Sequence, residues 1–91
     1  MILNEKEILV ENVSIICDEF SFSNAVNKIN LKGNNKIRCK KATLEKNDAN
    51  GIEINSDEGT LNIEYSDIFT DNNRKFLIKK ANGMKLIFKK F

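Results

Sequence analysis

Ninety-one residues carry fifteen Lys and Arg against thirteen Asp and Glu, contain no His, Pro or Trp, and are 41% hydrophobic. That length supports one domain, residues 1–91, with a modest core, and the mixture of apolar and charged side chains excludes global disorder. Without His the commonest general base and metal ligand is missing, and no apolar run approaches the ~20 residues needed to span a bilayer.

The N-terminus, Met1 to Lys6, lacks a signal-peptide core, so the expected compartment is the cytoplasm. Fourteen Asn, thirteen Lys and twelve Ile read as the bias of an AT-rich coding sequence. The near-neutral total of +2 hides four blocks of alternating sign. Residues 1–27 give −4, residues 28–46 give +6, residues 47–73 give −7 and residues 74–91 give +7.

In the first block Ile8-Leu9-Val10 and Val13 to Cys17 are apolar runs separated by Glu11-Asn12, which predicts one strand, or two strands meeting at a bulge or bend. After Cys17 the periods compete. Phe20 and Phe22 alternate with Ser21 and Ser23 as in a strand, whereas Phe22, Val26 and Ile29 fit helical spacing.

Ile29 and Leu31 lead into Gly33-Asn34-Asn35, and Ile37 and Cys39 lead out, which predicts a hairpin pairing residues 29–32 with 36–40. A second hairpin, 51–55 with 60–65, is expected around Ser56-Asp57-Glu58-Gly59, with Ile52, Ile54, Leu61, Ile63 and Tyr65 on one side and Glu53 and Glu64 on the other. Between them, 41–49 suits at most one short helix, since Ala42, Leu44, Glu45 and Lys46 favour one and Gly51 follows. A third hairpin, 75–80 with 84–90, closes through Ala81-Asn82-Gly83. A three-residue loop there collects Phe76, Ile78, Met84, Leu86 and Phe88 on one face, and lysines around Leu77 and Ile87 on the other.

Together these features predict an all-β fold, a small antiparallel meander of hairpins arranged as a roll, sandwich or short jelly-roll-like stack. Asn4, Asn27, Asn50 and Asn73 recur at one fixed interval, which, as a true repeat, suggests stacked strand pairs in a short solenoid or jelly roll. The run Lys28-Ile29-Asn30-Leu31-Lys32-Gly33-Asn34, followed by Ile52-Glu53-Ile54-Asn55-Ser56-Asp57-Glu58, resembles the OstA-type repeats of lipopolysaccharide-transport proteins. The resemblance implies an open β-jellyroll passing lipid along its interior. The C-terminal half is loosely similar to the last strands of pleckstrin-homology-like domains, without their closing helix.

No catalytic constellation is evident. Cys17 and Cys39 have no His partner and alternate with apolar neighbours, so both read as small buried hydrophobes. The pairs Asp18-Glu19 and Asp57-Glu58 sit on adjacent residues, which point to opposite faces of a strand. No metal site and no cofactor is expected, and the predicted activity is binding.

The first candidate is a protein partner, or a second copy of the chain at an edge strand, meeting Leu77 and Ile87 inside a rim of Lys75, Lys79, Lys85 and Lys89. The alternative is nucleic acid, with Lys28, Lys32, Lys36, Arg38 and Lys40 meeting phosphates. Competing with both is an internal use, in which these cations pair with carboxylates such as Glu53 and Glu64 on a neighbouring strand and so help to order the sheet.

Overall fold

The computed structural model describes residues 1–23, 25–44, 52–56, 59–70, 78–81 and 86–91. Nine strands follow one another: β1 (Ile2–Leu3), β2 (Glu7–Glu11), β3 (Ser14–Phe22), β4 (Lys28–Lys32), β5 (Asn34–Leu44), β6 (Ile52–Asn55), β7 (Thr60–Thr70), β8 (Ile78–Ala81) and β9 (Leu86–Lys90). They form a five-stranded sheet in the order β1-β3-β5-β7-β9 and a four-stranded sheet in the order β2-β4-β6-β8. Every strand pair is parallel.

The chain therefore winds as a coil, placing each strand on the one a full turn earlier. This overturns the antiparallel meander of hairpins. The expected partners β4 and β5, β6 and β7, and β8 and β9 lie in different sheets, so no antiparallel roll, sandwich or jelly-roll is present among the described residues. The physical reason is the corner at Gly33. Its φ of 69° turns the chain out of one sheet and into the other, where a hairpin turn would have folded it back alongside itself.

The same column of corners holds Asn12, whose φ of 51° is one that Asn tolerates better than most residues. Thus the two apolar runs of the first block are separate strands, β2 and β3, meeting at that bend. Helical spacing does not prevail after Cys17, because Phe20 and Phe22 continue β3 with both rings buried. Nor does the expected helix start at residue 41, since Lys41 to Leu44 complete β5; the rest of that span, 45–49, lies outside the described residues. Among the described residues there is no helix long and apolar enough to cross a membrane.

Each turn of the coil buries the same columns. In the five-stranded sheet Ile15, Ile37, Ile63 and Phe88 stack in register, and so do Phe20 and Ala42, and Phe22 and Leu44. In the four-stranded sheet Ile8, Ile29 and Ile54 form a column, with Val10 and Leu31 beside it. Phe20 and Phe22 meet edge to face, with ring centroids 5.0 Å apart, and both are fully buried.

Strict alternation fails once per turn, always at the same place. Asp18-Glu19, Lys40-Lys41 and Ser66-Asp67 are consecutive exposed pairs, and the inward phase resumes at Phe20 and Ala42. Two outward residues in succession shift the inward phase of the long strand by one residue.

The equal spacing of Asn4, Asn27, Asn50 and Asn73 does not follow this repeat. Successive turns are offset by 21 or 22 residues at first (Glu7 on Lys28, Ser14 on Lys36) and by 25 or 26 later (Lys28 on Glu53, Asn34 on Thr60). A fixed interval of 23 falls between the two offsets and tracks neither. Asn50 and Asn73 lie outside the described residues.

Candidate binding face

Parallel in-register stacking turns every sequence position into a column of neighbours about 4.8 Å apart, so charge is read down columns. On the four-stranded sheet Glu7, Lys28, Glu53 and Lys80 follow one another. The Lys28 ammonium lies 3.8 Å from a carboxylate oxygen of Glu7 and 3.8 Å from one of Glu53. Beside this column the Asn30 amide donates to Glu7 at 3.0 Å, and Asn55 donates to the Asn30 carbonyl oxygen at 3.2 Å.

On the five-stranded sheet Lys36 meets Glu64 at 3.3 Å and Lys40 meets Asp18 at 3.7 Å. Arg38 pairs in register with Glu64, and its guanidinium carbon stands 4.3 Å from the centre of the Phe91 ring. The five cations proposed for phosphate contact therefore divide between two sheets, Lys28 and Lys32 on β4 and Lys36, Arg38 and Lys40 on β5. Three of them face carboxylates of this same chain.

Of the residues proposed for a protein contact, Ile87 and Lys89 lie on β9 and are exposed on the outer face of the five-stranded sheet. Lys79 belongs to β8, in the other sheet. Leu77, Lys75 and Lys85 lie outside the described residues. The expected opposition of Leu77 to Ile87 depended on the hairpin register, which the parallel pairing of β9 with β7 replaces.

The apolar centre of this face lies elsewhere. Ile16 is 87% exposed, and Phe91 is half exposed. Between them opens a shallow recess of about 460 Å³, lined also by Asp18, Arg38, Lys40, Ser66 and the two cysteines. Sequence reasoning missed Ile16, although placing Val13, Ile15 and Cys17 inward already turned Ile16 outward.

Cys17 and Cys39 are in-register neighbours, both free, and the Cys39 thiol donates to the Glu64 carbonyl at 3.5 Å. Burial, and secondarily the neighbouring Cys17, push the Cys39 pKa up, which keeps the thiol protonated. The chain matches no family model, and comparison with curated proteins and with solved structures yields no match.

Proposed function

We propose that the chain is a non-enzymatic binding module that receives a protein partner on the outer face of its five-stranded sheet. The observation that carries this reading is the recess between Ile16 and Phe91, an apolar centre with a mixed-charge rim, which is how protein contact patches are commonly arranged. Ile87 and Lys89 extend the same face toward β9. The lack of His and the raised pKa of Cys39 favour binding over catalysis.

Affinity capture from nuclease-treated lysate of the source cell tests the reading, comparing the wild type with an Ile16→Ser/Ile87→Ser variant. Both side chains are exposed, so the variant keeps the native circular dichroism spectrum while the captured protein is lost. Equal capture by both chains overturns the assignment of this face. The nucleic-acid alternative predicts that capture disappears on nuclease treatment and that Lys32→Glu removes a salt-sensitive gel shift. Pairing of Lys28, Lys36 and Lys40 within the chain weighs against that alternative.

A further inference from the structure

The two ends of the coil are complementary to each other. At one end β1 pairs only with Ser21 and Phe22, leaving the first half of β3 as an uncovered edge among the described residues. At the other end β9 pairs with β7 only as far as Tyr65, and the Phe91 amide donates to the Tyr65 carbonyl at 2.9 Å. The last residues of β7 pair with β5 but have no ladder partner on the β9 side among those described. Each end is thus a step, and the two steps interlock. Ile87 and Lys89 occupy the columns of Ser14 and Ile16, while Ile2 occupies the column of Phe69.

Charge points the same way. β2 and β3 together hold four carboxylates and no base, whereas β4 and β5 hold six bases and no acid. β6 and β7 return to three carboxylates and no base, and β8 and β9 to four lysines and no acid. The coil therefore begins acidic and ends basic. A second copy set on its end would place Glu7 next after Lys80, continuing the sequence Glu7, Lys28, Glu53, Lys80 without a break. The same placement brings Ile2, 67% exposed, against Phe69, 50% exposed.

We propose that the chain stacks head to tail on a second copy of itself, with β8 and β9 of one molecule pairing in parallel with β2 and β3 of the next. Such a contact uses different surfaces on the two molecules and does not close on itself, so it generates open chains of variable length. In such a stack Ile16 of one molecule adjoins Lys89 of the next on the outer face, but the proposal rests on the ends of the coil and not on what binds that face.

Sedimentation velocity on the full chain tests the proposal. Association rises with protein concentration at low salt and recedes at high salt. Lys80→Gln/Lys89→Gln/Lys90→Gln weakens it about tenfold or more. Because those lysines also neighbour Glu53 and Glu64, a second variant, Ile2→Lys/Phe69→Lys, alters only exposed side chains and weakens assembly equally. Register is read by Lys90→Cys in a Cys39→Ser background. Lys90 shares its column with Cys17, so mild oxidation yields a covalent ladder of oligomers that Cys17→Ser abolishes. A wild type that stays monomeric at millimolar concentration and low salt, association indifferent to both variant sets, or cross-linking that stops at dimers would each overturn the proposal.

Discussion

The carboxamide oxygen of Asn35 accepts the Val13 amide hydrogen at 2.7 Å, tying the second turn of the coil to the first from inside the corner. In the same column the next two turns carry Leu61 and Leu86, so an apolar residue fits the space. Asn35 nevertheless sits there, 2% exposed, with its amide nitrogen donating to the Thr60 carbonyl at 2.9 Å and the Lys32 carbonyl at 3.0 Å. It satisfies backbone groups of three successive turns at once.

Replacing Asn35 with Leu keeps the volume and removes those partners. The expected loss is about 2–4 kcal/mol, because backbone groups at the corner are left without a partner away from water. Chemical denaturation of the purified variant measures it. A loss below about 1 kcal/mol would mean that water replaces the amide freely.

The glycines at this corner differ in what they avoid. A Cβ on Gly59 would run into the backbone of Leu31, and one on Gly33 would meet the side chain of Asn12. Backbone cannot step aside, whereas a side chain can. Gly59→Ala is therefore the more destabilising change, and Asn12→Gly restores part of the stability lost in Gly33→Ala but none of that lost in Gly59→Ala. The part left unrestored reflects the φ of 69° at Gly33, which costs an L-residue about 1–2 kcal/mol. Thermal melts of the two single variants and their Asn12→Gly doubles give the comparison.

Lys28 stands between two carboxylates on a partly exposed face. Lys28→Glu stacks three like charges in one column and is expected to lower stability by about 1–2 kcal/mol at low ionic strength. Molar salt removes most of that penalty, as expected for half-exposed groups. An unchanged penalty in salt would show that Lys28 contributes through packing of its stem.

Stability falls as pH rises through the range where a free thiol titrates. Cys39 is protonated in the fold beyond the point at which the unfolded chain loses its proton, about pH 8.5. Above that pH the unfolded state binds fewer protons than the native one, so the contribution present at neutral pH is lost progressively toward the raised folded value. Cys39→Ser removes this slope. In alkylation at mild pH the half-buried Cys17 reacts well before the buried Cys39.

Much of the strand content was legible in the sequence. The described residues of the expected segments 29–32, 51–55 and 84–90 fall on β4, β6 and β9, because period-2 alternation reports which residues face inward. Alternation does not report which strand lies alongside. Ile29, Leu31, Ile37 and Cys39 face one core whether the chain reverses at Gly33 or turns a corner there. Strand partners 19 to 27 residues away leave no local mark.

β5 and β7 also run beyond their expected ends at residues 40 and 65, because the outward pairs Lys40-Lys41 and Ser66-Asp67 interrupt the alternation that defined them. The recurrence of such pairs with Asp18-Glu19, one in each of the first three charge blocks, was the available sign of a coil. Asn35, with Asn34 beside it and Gly33 before it, read as loop. Only the stacked corner shows it to be interior.

The corners themselves are unequal. From β4 to β5 the chain passes through Gly33 alone, and from β2 to β3 through two residues, whereas the strand ends on the way from the five-stranded sheet back to the other stand three, five, seven and seven residues apart. The growth in offset between turns, from 21 or 22 to 25 or 26, falls outside the single-residue corner at Gly33. A tag, a fused domain or an inserted recognition loop placed between β5 and β6 or between β7 and β8 would lengthen one turn and leave the pairings of the described strands in register. The same insertion at Gly33 would shift every column that follows.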